Sequence, residues 1–238
     1  YKLDNSIVID KNVTIRSKDV NNKTVLVYKG KTSTPAFLML PKGNLTLSNV
    51  FLKGGSTQNA FATAEKDMAS AYNLKIENSE ISDFDYVLRA YKDAFADTIS
   101  VDKSYIINCK RGLSLAAEND DLGEYNAEFV YVTNSKFEGV DKAIVDYYRG
   151  GYDESTIGGN LVFNNNKVTH CGKMEESGLL IKNRGIVNLI IDKNNFTNNA
   201  VKVIAVLWGE KDQKQVDNTF ENSGEFKTEQ NLKQKMMY

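Results

Sequence analysis

One short phrase recurs along this chain and constrains its fold more than any other feature. Apolar residues alternate with polar ones, a polar step rich in asparagine follows, and an apolar residue closes the phrase seven places after the first. It reads LTLSNVFL (45–52), LKIENSEI (74–81), ISVDKSYI (99–106), VYVTNSKF (130–137), LVFNNNKV (161–168) and LIIDKNNF (189–196), with a degenerate copy, DNTFENS, at 217–223. Successive starts differ by 29, 25, 31, 31 and 28 residues. Each copy has the period-two alternation of a strand and is too short for an amphipathic helix. A unit this small cannot bury its own apolar face, so it must stack on its neighbours, and stacked units make a solenoid.

The uneven period selects among solenoids. Repeats closed by a helix of fixed length keep a tight period, whereas a rung of three strands joined by turns lets one turn swell without disturbing the stack. A second strand set lies between the copies: FLML (37–40), YVLRAY (86–91), GLSLAA (112–117), AIVDYY (143–148), GLLIK (178–182) and VKVIAVL (201–207). The expected fold is all-β, a single-stranded right-handed parallel β-helix of about seven to eight rungs. It should occupy 1–225, with FKTEQNLKQKMMY (226–238) as a polar tail or short capping helix. Leu45, Leu74, Ile99, Val130, Leu161 and Leu189 should form one inward column, repeating at the ~4.8 Å strand spacing. Asn49, Asn78, Asn134 and Asn166 should mark the following corner, since Asn tolerates left-handed backbone and stacked Asn side chains hydrogen-bond along the axis. Cys109 and Cys171 each fall ten residues after a repeat start, with Val140 between them at the same rung position. Two rungs separate their backbones by ~9–10 Å, beyond the ~7 Å reach of a disulfide. Both should be buried free thiols.

Composition removes several function classes. Lys plus Arg number 30 and Asp plus Glu 31, so bulk charge steers neither nucleic acid nor a membrane surface. No apolar run approaches the ~18 residues of a membrane span. Two cysteines and one histidine exclude a disulfide scaffold, a zinc ribbon and a multi-histidine metal site. The first residue is Tyr1 and no cationic-then-apolar leader follows, so the chain reads as a mature or excised piece.

The segment 141–172, which contains AIVDYYRGGYDESTIGGNLVFNNNKVTHCG, is more specific than a generic β-helix. It resembles the C-terminal β-helix domain of polysaccharide lyase family six, the alginate lyases and their chondroitinase B-like relatives. The phrase YYRGGYDESTIGGN (147–160) carries most of that resemblance, and 106–137 and 44–54 fit the same domain. The resemblance implies β-elimination on an acidic uronate polysaccharide, alginate foremost, by a secreted or periplasmic bacterial enzyme. It implies as partners the polysaccharide and an N-terminal catalytic β-helix domain of the same parent. It implies no cofactor in this chain and allows calcium in the parent.

Such an elimination needs a cation to neutralise the uronate carboxylate, a base for the adjacent proton and an acid for the leaving oxygen. In the family these are calcium held by Asn and Glu, a Lys and an Arg. The nearest echo here is ESGLLIKNRG (176–185), with Lys182 and Arg184 as the catalytic candidates. One rung on, where the Arg is expected, the sequence reads AVLWG (205–209). Glu175 and Glu176 lie close to Lys182 in sequence and, if close in space, would favour its charged form.

Outside that echo, Arg149 with Gly150, Gly151, Tyr152, Asp153 and Glu154 reads either as a sugar-binding loop, with Arg149 on a uronate carboxylate, or as an Arg–acid pair locking a long turn. Tyr91, Glu118, Tyr148, Lys182 and Trp208 fall at strand ends of the second set and, if outward, line one face suited to sugar. Asp120 and Asp121, in an acidic run with Glu118 and Glu124, are the metal candidates for calcium but lack the spacing of a dedicated loop. His170 reads as a buried or turn residue. Three functions stay open: a non-catalytic domain of a family-six lyase, a self-sufficient lyase or hydrolase with a groove along the strand-end face, and a structural or adhesive surface β-helix.

Overall fold

In a computed structural model that describes residues 1–19, 21–117, 125–149, 158–184, 186–207 and 212–229, the chain is a β-solenoid, all strand and turn among those residues. Three parallel sheets run its length. Sheet one holds nine strands, from Lys2–Leu3 to Thr219–Glu221, and sheet two nine, from Ile7–Ile9 to Glu225–Thr228. Sheet three holds eight, from Asn12–Arg16 to Asp212–Lys214. The chain visits the sheets in that order in every coil. Each recurring phrase supplies a sheet-three strand and the sheet-one strand after it, for example Ala127–Thr133 and then Lys136–Glu138. The second strand set forms sheet two. Strand structure continues through Glu225–Thr228, past the start expected for the tail, and residues 230–238 lie outside the described ones.

The expected column is present in register. Leu45 pairs Leu74, Leu74 pairs Ile99, Ile99 pairs Val130, Val130 pairs Leu161, and Leu161 pairs Leu189. All six are 2 % exposed or less. Sheet two contributes Phe37, Phe61, Leu88, Leu113, Val145, Ile181 and Ala205 inward. Phe137 and Phe196 from sheet one meet Phe163 of sheet three, and Phe220 stacks on Phe196, with centroids 5.5–6.3 Å apart. One-residue slips would expose whole columns, so burial fixes the register.

The corner between sheets three and one shows why asparagine recurs. Asn49, Asn78, Lys103, Asn134, Asn165, Lys193 and Asp217 all have φ between 45° and 57°. Asn165, rather than Asn166, is the left-handed residue of its coil. Asn166 belongs to a buried column one position later, running Ser79, Ser104, Ser135, Asn166, Asn194 and Asn218. There each side-chain oxygen accepts the backbone N–H of the preceding coil's residue, at 2.9–3.1 Å. A corner of one or two residues with a buried polar column satisfies donors that the apolar interior could not. Cys109 and Cys171 are buried and free, and burial pushes each thiol up to about 12. Asp141 N–H donates to the Cys109 carbonyl and Gly172 N–H to that of Val140, which places the three residues in one ladder.

Candidate functional site

Alternation on sheet two turns Arg89, Ser114, Asp146 and Lys182 outward, each in register with the next. The long turn before Leu179–Arg184 folds back over this face and brings Glu175 onto it. A surface cavity of about 320 Å³ results, lined by Arg111, Ser114, Lys142, Asp146, Glu175 and Lys182 among others. The Lys182 ammonium lies 3.1 Å from Glu175 and 3.7 Å from Asp146. The Arg184 guanidinium lies 3.8 Å from Asp146 and over the Tyr148 ring at 5.1 Å. Glu175 also accepts from Ala143 N–H at 2.9 Å, Ser177 N–H at 3.1 Å and Ser177 Oγ at 2.7 Å. Burial pushes its carboxyl up, but the Ser177 donors and the Lys182 charge outweigh burial and hold it below the ordinary value. Glu176 turns away to Lys142, at 3.4 Å.

The two catalytic candidates, Lys182 and Arg184, therefore share one face, both at ion-pair distance from Asp146, while Asp146 Oδ1 and Arg184 Nε are buried without a hydrogen-bond partner. On the next coil Ile181 pairs Ala205, which sets Lys182 beside Val206. Val206 and Leu207 are 7 % and 1 % exposed, so the strand expected to carry an Arg presents buried apolar groups through Leu207. Tyr148 is buried at 3 %. Tyr91 receives Arg89 over its ring at 4.5 Å and donates its N–H to Thr63. Arg149 faces Glu128 through Nε at 3.2 Å and Nη2 at 3.0 Å, and covers the Tyr125 ring at 3.4 Å. That contact set ties Arg149 to Glu128 on the sheet-three strand Ala127–Thr133. Glu118, Asp120, Asp121, Glu124, Gly150 to Glu154 and Trp208 lie outside the described residues. His170 is an exposed corner residue with φ of 55°. Among the described residues no three His, Cys, Asp or Glu side chains cluster as a metal site.

Sequence reasoning missed Asp146, and it missed a second outward feature on sheet three. Phe129 and Tyr131, two apart on one strand, project from the face opposite the inward Val130. Their parity against Val130 was the available signal.

No family model matches the sequence, and no curated protein matches it. Solved structures do. The PL6 family alginate lyase AlyGC is 27 % identical with a TM-score of 0.79, over 96 % of this chain and 33 % of that one. A single-substitution mutant of the same enzyme is 25 % identical with a TM-score of 0.73, over 96 % and 35 %. This chain spans about a third of the length of the structures it matches. It is a β-solenoid similar, over nearly its whole length, to one third of a PL6 family alginate lyase.

Proposed function

We propose that this chain is a non-catalytic β-helix domain of a secreted or periplasmic polysaccharide lyase acting on an acidic uronate polysaccharide, alginate foremost, by β-elimination. Its contribution is stability, packing against a catalytic β-helix domain, and contact with substrate. The observation that carries this reading is the environment of Lys182. A general base must present a neutral amine to the carbon acid, and this ammonium sits against two carboxylates. The leaving-group acid has no counterpart at Val206 or Leu207. Calcium does not fit this face either. A hard cation wants several free oxygens, and Asp146 and Glu175 already face Lys182 and Arg184.

The test is turnover by residues 1–238. Alginate and chondroitin polymers with calcium present should give no rise in absorbance from unsaturated ends. Lys182 and Arg184 share a face beside a cavity, and this favours the self-sufficient lyase as second reading. Turnover that disappears in Lys182→Ala would establish it.

A further inference from the structure

We infer that the outer face of sheet three is a second site, a platform that binds an extended uronate polysaccharide, with Phe129 and Tyr131 as its sugar-stacking floor. The face is continuous over eight strands. One outward column runs Asn12, Asn44, Asn73, Thr98, Phe129, Asn160 and Asn188. The column beside it runs Thr46, Lys75, Ser100, Tyr131, Val162 and Ile190. The two aromatic rings stand nearly parallel, 4° between planes and 6.2 Å between centroids. Phe129 is 36 % exposed with Thr98 and Asn160 as its strand neighbours. An outward aromatic pair, set between Thr98 and Ser100 on one side and Asn160 and Val162 on the other, does little for the core, and its apolar area is open to a ligand.

A groove of about 290 Å³ leads away from Tyr131 across the strands of Ser100, Lys75 and Thr46. Three inter-strand steps of ~4.8 Å make it roughly 14 Å long. Its chemistry suits a sugar chain laid along the solenoid axis. A pyranose offers an apolar C–H face to an aromatic ring and hydroxyls at its rim to amide and hydroxyl partners. The amides are pre-aligned, because Asn44 donates to Asn12 Oδ1 at 2.6 Å and Asn73 to Asn44 Oδ1 at 2.7 Å. Asn188 donates to Asn160 Oδ1 at 2.6 Å beyond the rings. Lys75 is the one charged side chain lining the groove among the described residues, and it is half exposed, so a carboxylate is favoured over a cation. Its ion pair with Glu77, at 2.6 Å, is solvent-exposed and open to exchange. The acidic class of the ligand rests on the reading of the chain as a lyase domain; the platform itself stands on the geometry of sheet three.

Binding of alginate oligosaccharides to residues 1–238, followed by calorimetry, tests this. The double variant Phe129→Ala/Tyr131→Ala should bind about tenfold more weakly or worse, with its thermal unfolding unchanged. Lys75→Gln should weaken binding severalfold and reduce its salt dependence. Lys167→Gln, an exposed position on sheet one, should bind as wild type. Undiminished affinity in the double variant, loss of binding in Lys167→Gln, or no binding to the oligosaccharides at all overturns the site. Equal affinity for a neutral glucan overturns the ligand class. Release of unsaturated ends is a separate readout and bears on the lyase-domain reading alone.

Discussion

The outer faces of sheets two and three come from the same coils and have opposite fates. On sheet two the polar groups bind one another: Lys182 holds Glu175 and Asp146, Arg184 holds Asp146, and Glu176 holds Lys142. On sheet three amides and hydroxyls stand beside two ion pairs, Lys75–Glu77 and Lys214–Asp192, and Phe129 is 36 % exposed with Tyr131 next to it. The turns account for part of the difference. A long turn hangs Glu175 over sheet two, whereas the corners leading from sheet three are two residues long after Glu77, Asp102, Thr133, Asn164 and Asp192 and cover nothing. Burying charges obliges a face to satisfy them internally; a face left open can keep its apolar groups for a partner.

If the ion pairs of sheet two are structural, changes there should cost stability. Glu175→Ala removes the acceptor of Lys182, Ala143 N–H and Ser177 N–H together. A loss of about 3 kcal/mol in denaturant unfolding is expected, and a neutral result would show that Glu175 does not hold this face together. Gly112, beneath the same face, has no room for a side chain, because an added Cβ would collide with the Ile144 carbonyl oxygen. Gly112→Ala should cost about 2 kcal/mol through overpacking.

The pH dependence sharpens the same contrast. The Glu175 carboxyl is held low in the folded state, so the unfolded chain binds its proton first as pH falls. Its contribution is therefore fully present above the ordinary value near ~4.3 and is lost as pH drops through the lower folded value. The stability difference between wild type and Glu175→Gln should shrink below about pH 4.3. The smallest effect belongs to sheet three, where Phe129→Ala should change stability by no more than about 0.5 kcal/mol.

Much of the fold was legible because a solenoid repeats its reasons. The column from Leu45 to Leu189 and the ladder of Cys109, Val140 and Cys171 follow from spacing alone, since burial forbids a one-residue slip. The corner was legible less sharply. Lys103 and Lys193 hold the same left-handed position as Asn49, so residue type underdetermines the turn, and Asn166 proved to serve the buried column. The site was harder. That Lys182 and Arg184 share a face follows from their spacing of two. Arg149 takes Glu128, 21 residues upstream, and Lys182 takes Asp146, 36 residues upstream; such partners appear only once coil lengths fix which strands are neighbours. Tyr148 is buried, paired with Arg184 on the next strand and covered by its guanidinium.

If Lys182 is a structural cation held by Glu175, a double-mutant cycle should detect their coupling. Unfolding free energies of wild type, Lys182→Met, Glu175→Gln and the double variant give the coupling between the two side chains. The expected coupling is about 1–3 kcal/mol, with each single change destabilising and the second change adding little once the first is made. Additivity within about 0.5 kcal/mol would show that Lys182 is not held by Glu175 and would return it to the candidates for a base.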